Sequence, residues 1–97
     1  MESKFLLGRL AATRGVADKI EESKDFARFA RRSFNRYISG DWGELDASDK
    51  RQNDEALLRN DNRLFAEYTH DGHPEWRLWI ITEWDRSATT LLFPDEY

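Results

Sequence analysis

The chain has no cysteine among its 97 residues, only two prolines, and no long apolar run. Without cysteine there are no disulfides, no thiol nucleophile and no cysteine-ligated zinc site. No segment approaches the roughly 20 apolar residues that span a bilayer, and residues 1–8 lack the apolar stretch of a signal peptide. We therefore expect a cytoplasmic protein with no membrane partner.

Basic residues are also in deficit, because 15 Lys and Arg stand against 19 Asp and Glu and the net charge is −4. This balance weighs against unassisted binding along a phosphate backbone, whose affinity comes from basic residues that displace counterions. One segment, residues 24–36, departs from the balance with five basic residues and one acid. Nucleic acid is therefore the less favoured partner, and this segment is where it would bind.

Aromatic residues are plentiful, at 13% of the chain with four tryptophans, although 35% of the residues are charged. So large an apolar load predicts a folded chain rather than a disordered one. A chain of this length suits one hydrophobic core. We expect a single domain over residues 1–97.

The clearest helix is predicted from Lys24 to Ser39, with Ser23 as its N-cap and Gly40 just past its end. Apolar residues recur in it at spacings of three, four or seven, which builds one face that must be buried. That face comprises Phe26, Phe29, Ala30, Phe34, Tyr37 and Ile38. Residues 16–22 are predicted to form one or two helical turns, and Asp46 to Arg59 a second helix with little apolar content.

Strands are predicted for residues 5–12, 64–69, 76–84 and 88–93, from alternating patterns bounded by turn residues. The third is the central strand, because both its faces carry large apolar groups; one face holds Trp76, Leu78, Ile80, Thr82 and Trp84. Pro94 ends the last strand, since it has no N–H to donate. The fold class is therefore α+β, with an N-terminal strand, two to three helices and a three-stranded antiparallel meander, the helices packed on one face of the sheet. The first strand joins either the edge of the sheet or the side of its central strand.

Four stretches of the sequence form a recognisable pattern: Gly8–Val16, Gly40–Leu45, Asp49–Leu57 and Trp79–Tyr97. Together they resemble a family of small proteins carried by bacterial plasmids, phages and integrative elements. Its members are often labelled "plasmid-related protein" or "type I restriction endonuclease subunit M". The resemblance covers most of the chain and implies a protein of a mobile genetic element.

The second label would make the chain a methyltransferase, and its residues argue against that activity. Such an enzyme needs a glycine-rich cofactor loop after a strand and an Asn-Pro-Pro-aromatic element that holds the flipped base, and neither is present. What the resemblance implies instead is a role common among proteins of mobile elements. Small, acidic, cysteine-free proteins of mobile elements are often inhibitors of host defence, including anti-CRISPR and anti-restriction proteins, which cover a partner's surface.

Two charged groups are candidates for such a contact. The first is acidic and lies at and after the Gly40–Leu45 turn, where a run of carboxylates imitates phosphate spacing or, alternatively, only keeps a helix surface soluble. Its members are Asp41, Glu44, Asp49 and Asp54, and Trp42, which the turn aims, is expected to join them in the contact. The second is a stripe of arginines spaced by four, Arg28, Arg32 and Arg36, which either meets phosphate or an acidic partner or pairs with carboxylates of this chain.

Three weaker candidates remain. Glu83 and Asp85 share a strand end and would hold a divalent cation in a metal-dependent hydrolase, but further ligands are not visible, so a turn role with Arg86 pairing Glu83 or Glu96 is favoured. His70 and His73 make a poor zinc site without a third ligand. Of Trp76, Trp79 and Trp84, which cannot all point to one face of the sheet, at least one is expected at the surface as an anchor for a partner.

The favoured function is a non-enzymatic mobile-element protein that binds and blocks a host macromolecule, a CRISPR or restriction defence complex. No cofactor or metal is expected, and the protein is a monomer or a homodimer. The alternatives are a nucleic-acid-binding accessory protein that uses the arginine stripe, and the hydrolase built around Glu83 and Asp85.

Overall fold

The computed structural model describes residues 3–97 and has the predicted α+β class, with three helices and a four-stranded mixed sheet. The elements in chain order are β1 (Arg9–Ala12), α1 (Arg14–Glu22), α2 (Lys24–Ile38), α3 (Ala47–Arg59), β2 (Leu64–His70), β3 (His73–Thr82), β4 (Ala88–Leu92) and a closing 3-10 turn (Pro94–Glu96). The predicted helix boundaries are confirmed to within one residue for α2 and α3. None of the three helices has the length and apolar character needed to cross a membrane.

The strands lie in the order β1-β4-β3-β2. Strands β2, β3 and β4 form the predicted antiparallel meander, with β3 inside it, and β1 joins parallel to β4 at the sheet edge. The predicted first strand of residues 5–12 is shorter than expected, because Gly8 breaks it with φ of 63°. A Cβ at Gly8 would lie 2.3 Å from the Ser87 backbone, so the chain bends there and becomes a strand only from Arg9.

The pairing register sorts the side chains into rows that cross all four strands. Two rows face the helices: Leu10, Thr89, Thr82 and Leu64, then Ala12, Leu91, Ile80 and Ala66. Between them lies a row on the opposite face: Ala11, Thr90, Ile81 and Phe65. The hydrophobic core forms on the first side, where α1 and α2 and the edge of α3 cover the sheet. Within residues 3–97 no α-helix covers the second side, and we call it the helix-free face.

Helix α2 packs its aromatic face onto β3, as predicted. The Ser23 hydroxyl accepts the Phe26 N–H at 3.1 Å and starts the helix. Phe26 then meets Trp76 edge to face, with ring centroids 5.2 Å apart. Farther along, the hydroxyls of Tyr37 and Thr82 share a buried hydrogen bond of 2.6 Å, and burial raises the pKa of Tyr37. Each fully buried ring of this kind contributes about 2–3 kcal/mol relative to an exposed one.

Helix α3 seals the outer edge of β2. The side chain of Asn53 donates to the Phe65 carbonyl at 2.6 Å and accepts the Phe65 N–H at 3.2 Å, which satisfies both edge groups of that residue. Two residues further along β2, the Glu67 carbonyl accepts the Glu44 N–H at 2.7 Å. The prediction that α3 touches the core with one edge is confirmed, since Asn53 and Ala56 are its buried residues.

The β3–β4 turn departs from the prediction in two ways. Strand β3 ends at Thr82, so Trp84 is not in line with Trp76 but lies in the turn with 64% of its surface exposed. The predicted pairing of Arg86 with Glu83 or Glu96 is also wrong. Arg86 is only 7% exposed, and its guanidinium donates to backbone carbonyls instead. The acceptors are the carbonyl oxygens of Ala56, Asn62, Glu83 and Trp84, at 2.6–3.2 Å.

Candidate partner-binding surface

The turn between α2 and α3 is built around Trp42. Its ring is 3% exposed and packs against Phe5 and Tyr37, with ring centroids 6.1 and 5.6 Å away. The indole N–H donates to the Asp54 carboxylate at 2.9 Å. The prediction that Trp42 meets a partner is therefore wrong, because the side chain lies in the core. Its role, together with that of Asp54, is to anchor the turn.

Asp41 is held by three hydrogen bonds. Arg36 donates to its carboxylate at 2.7 and 3.2 Å, and the Gly43 N–H donates at 3.1 Å. The bond from Arg36 lowers the pKa of Asp41, and the same bond raises the pKa of Arg36. Because both side chains are partly exposed, this pair contributes at most about 1 kcal/mol to stability. Asp41 and Arg36 therefore compensate each other's charge.

Glu44 and Asp49 are the two predicted acids whose carboxylates do not help to hold the turn. Both are exposed, and within residues 3–97 neither forms a salt bridge. Between them Asp46 is the N-cap of α3, and its carboxylate accepts the Asp49 N–H at 2.8 Å. Of the four predicted acids, Asp41 and Asp54 accept side-chain or backbone hydrogen bonds, whereas the carboxylates of Glu44 and Asp49 accept none within the described residues.

The three arginines of the stripe also differ in whether a carboxylate of this chain pairs with them. Arg28 pairs with Asp25 at 2.7 Å on the exposed side of α2, and Arg36 pairs with Asp41. Arg32 is exposed, and within the described residues it forms no salt bridge. The stripe therefore presents one uncompensated guanidinium rather than three.

Arg32, Arg36 and Glu44 meet at one cleft of about 280 Å³ between α2 and the end of β2. The rest of the cleft is formed by Phe29, Ser33, Thr69, His70 and Asp71. The sequence treats the acidic and the arginine groups as separate surfaces, and the fold makes them continuous. The wall contributed by β2 was not predicted, because no local pattern shows which strand packs beside which helix. Asp49, on α3, lines a separate cleft with Leu45 and Phe65. We call the first cleft with its border residues Arg32 and Glu44, taken together with Asp49, the charged rim.

The carboxylates at the end of β3 do not act together. Asp85 accepts the Ser87 N–H at 3.0 Å, which confirms the predicted turn role, and the hydrogen bonds from Ser87 lower the pKa of Asp85. Glu83 instead borders a groove on the helix-free face, beside Thr13 and Arg63. Within residues 3–97 no three histidine, aspartate or glutamate side chains are grouped so that they could hold a metal ion.

The two histidines pack against aromatic rings. His73 stacks on Trp76 with centroids 3.8 Å apart and planes 10° apart. His70 meets the same indole edge to face at 5.2 Å, and its Nδ1 accepts the Gly72 N–H at 2.9 Å. Neutral His70 must therefore carry its proton on Nε2. These contacts stabilise the β2–β3 turn.

The C-terminal 3-10 turn is tied to the start of α1 through Glu96. Its carboxylate accepts the Thr13 hydroxyl and the backbone N–H groups of Gly15 and Phe93. The bond from Thr13, the largest effect, and the bond from Phe93 lower the pKa of Glu96 below its ordinary value of 4.5. The carboxylate thus caps a helix N-terminus 81 positions away in the sequence.

We expect Glu96→Gln to weaken the fold at neutral pH by about 1 kcal/mol, the usual effect of losing a helix cap. Since folding lowers the pKa of Glu96, its contribution is complete above the unfolded-state pKa and is lost as the pH falls through the folded-state value. Urea unfolding at a series of pH values should show wild type and variant converging in acid. Glu21→Gln, an exposed acid of α1, is the control; a gap that persists below pH of about 3 would contradict the assignment.

No protein-family model, curated protein or solved structure matches this chain. The charged rim has both signs of charge on a rigid backbone, so chemically it can make directional ion pairs with another macromolecule.

Proposed function

We propose that this protein is a non-enzymatic inhibitor that binds and blocks a host macromolecule, and that the target is a CRISPR or restriction defence complex. The observation that supports it best is the charged rim. There, Arg32 and Glu44 border one cleft, Asp49 follows Glu44 by five residues at the start of α3, and all three lack a salt bridge within the described residues.

The rim is preorganised. Trp42 is locked by the core and by Asp54, Asp41 by Arg36 and the Gly43 N–H, and Tyr68 donates its hydroxyl to the Asp41 carbonyl at 2.7 Å. Glu44 follows this locked segment directly. A binding surface whose backbone is already ordered loses little conformational entropy on association, so more of the contact energy contributes to affinity.

The choice of target class has a different basis. It depends on the resemblance of the sequence to proteins of mobile elements, for which blocking a host defence complex is a common activity. The surface chemistry fits a protein partner, since a rim of mixed charge favours specificity and correct orientation over general attraction to phosphate.

The nucleic-acid alternative depends on the arginine stripe. Because Asp25 and Asp41 compensate two of its three guanidiniums, the stripe offers less charge for counterion displacement than the sequence suggests. Retardation of DNA or RNA at low salt that weakens steeply as salt is added would favour this alternative over the proposal.

The double substitution Glu44→Lys with Asp49→Lys tests the proposal. In a host with an active CRISPR or restriction system, we expect wild-type protein to restore phage plating, and the reversed rim to reduce that restoration by at least about tenfold. The physical reason is that like charges meeting across an interface typically cost several kcal/mol, and each loss of about 1.4 kcal/mol weakens the affinity tenfold.

The matched control is Asp18→Lys with Glu22→Lys, which applies the same charge change to exposed residues of α1. It should plate like wild type. Full activity of the reversed rim, with both variants equally stable and expressed, would rule out this surface as the contact.

A further inference from the structure

The two edges of the sheet differ in whether other residues cover their backbone groups. The outer edge of β2 is closed by Asn53, by the Glu44 N–H and by a bridge from Gly43 to Glu67. The outer edge of β1 has no strand beside it in the described part of the chain, and all four of its residues are exposed. An uncovered edge is a template for pairing with another strand.

The backbone groups available at this edge follow from the ladder with β4. Arg9 donates its N–H to the Ser87 carbonyl and Thr13 to the Leu91 carbonyl, each at 2.9 Å. Hydrogen-bonding direction alternates along a strand, so the N–H and C=O groups of Leu10 and Ala12 point away from β4. These are the groups that an added strand would pair with.

We propose that β1 pairs with β1 of a second copy, antiparallel about a two-fold axis that passes beside Ala11. In that register Leu10 and Ala12 of one chain exchange hydrogen bonds with Ala12 and Leu10 of the other. The two Ala11 residues then face each other across the axis. The sheets of the two copies merge into one, and the row of Ala11, Thr90, Ile81 and Phe65 continues across both helix-free faces.

The side chains along the β1 edge favour pairing with a second copy of this chain over pairing with another peptide. No charged side chain lies opposite a like charge, because Arg9 falls opposite Thr13 of the second copy. Leu10 lies on the helix side yet remains 54% exposed, and pairing would cover it against Ala12 of the other chain. The closed β2 edge leaves each copy one free edge, so assembly stops at a dimer.

The contact is small, since β1 has four residues and Arg9 at its start is the kind of charge that discourages edge pairing. It therefore falls below the roughly 1,000 Å² of a permanent interface. We expect a reversible dimer that dissociates on dilution. The inference does not depend on the proposed function.

Cross-linking tests the register directly. The chain has no cysteine, so Ala11→Cys introduces its only thiol. Facing residues of a non-hydrogen-bonded pair have Cα atoms about 4.5 Å apart, inside the range for a disulfide. Under mild oxidation Ala11→Cys should give covalent dimer roughly tenfold faster than Ala17→Cys, an exposed position on α1.

Sedimentation from micromolar to near-millimolar concentration supplies the second measurement. Wild type should shift towards the mass of a dimer, and Leu10→Pro should remain monomeric, because proline removes an outward N–H that β4 does not use. If that variant fails to fold, Leu10→Lys takes its place. A monomer at every concentration, equal cross-linking at both positions, or an edge that takes up an extended peptide but not its own copy would overturn the proposal.

Discussion

Replacing Gly43 by alanine should destabilise the fold by about 3–4 kcal/mol, the sum of left-handed backbone strain and an overpacked contact. Gly43 has φ of 75°, and a Cβ there would lie 2.0 Å from the Glu67 carbonyl oxygen. That carbonyl accepts the Glu44 N–H, so β2 and the turn cannot move apart to make room for the Cβ without losing this hydrogen bond. The measurement is urea unfolding of both proteins.

Gly40→Ala is the matched control for this prediction. Gly40 has a similar φ of 86°, but the nearest atom to an added Cβ is Cδ of Lys4 at 3.5 Å. It should therefore show the strain alone, about 1–2 kcal/mol. Equal losses for the two alanine variants would contradict the close approach of Gly43 to β2.

Replacing Arg86 by methionine should cost about 3 kcal/mol, because it removes the charge-assisted donor of one buried carbonyl, that of Ala56, and of three partly buried ones. Arg86 holds the end of α3, through Ala56, to the chain that enters β2, through Asn62, and to its own turn. For a domain of this size the loss corresponds to a fall of roughly 15 °C in Tm. The measurement is thermal unfolding.

Arg59→Met, on the exposed side of α3, should leave Tm within a few degrees of wild type and serves as the control. Arg86→Lys should recover only part of the loss, since one ammonium cannot reach acceptors that the planar guanidinium spans. A Tm for Arg86→Met equal to that of wild type would show that Arg86 does not support the fold.

Much of the fold was predictable because its signals are local. The cap at Ser23, the glycine after α2 and the spacing of its aromatic residues define that helix without any distant contact. Alternation and turn residues define the meander just as directly. The sequence does not predict which strand β1 lies beside, because strand order depends on pairing between residues about 80 positions apart.

The candidate site was predicted by residue type but not by pairing. Nothing near Trp42 in the sequence shows that Asp54 will receive its indole N–H, and Asp41 meets Arg36 only once the α2 end turns back. Glu44 and Asp49 stayed in the candidate surface because the fold gives them no ion-pair partner within the described residues. Which charges are compensated is a tertiary property.

The four stretches from which a mobile-element family is predicted contain many residues that join distant parts of the fold. These residues are Gly8 against Ser87, Thr13 bonded to Glu96, Gly43 beside Glu67, Asn53 on the β2 edge and Arg86 on the end of α3. The pattern therefore specifies the scaffold more than it specifies the contact surface. The partner contact is therefore expected among exposed residues that do not join distant parts of the fold.

Amide hydrogen exchange on the protein, free and bound to the defence complex proposed as its target, tests the charged rim most directly. We expect slowed exchange at residues 44–52 and in the turn that joins β2 to β3, where α3 and the cleft would be covered. Slowed exchange confined to β2 and β3 beneath the helix-free face, with residues 44–52 unchanged, would contradict the assignment of the rim as the contact.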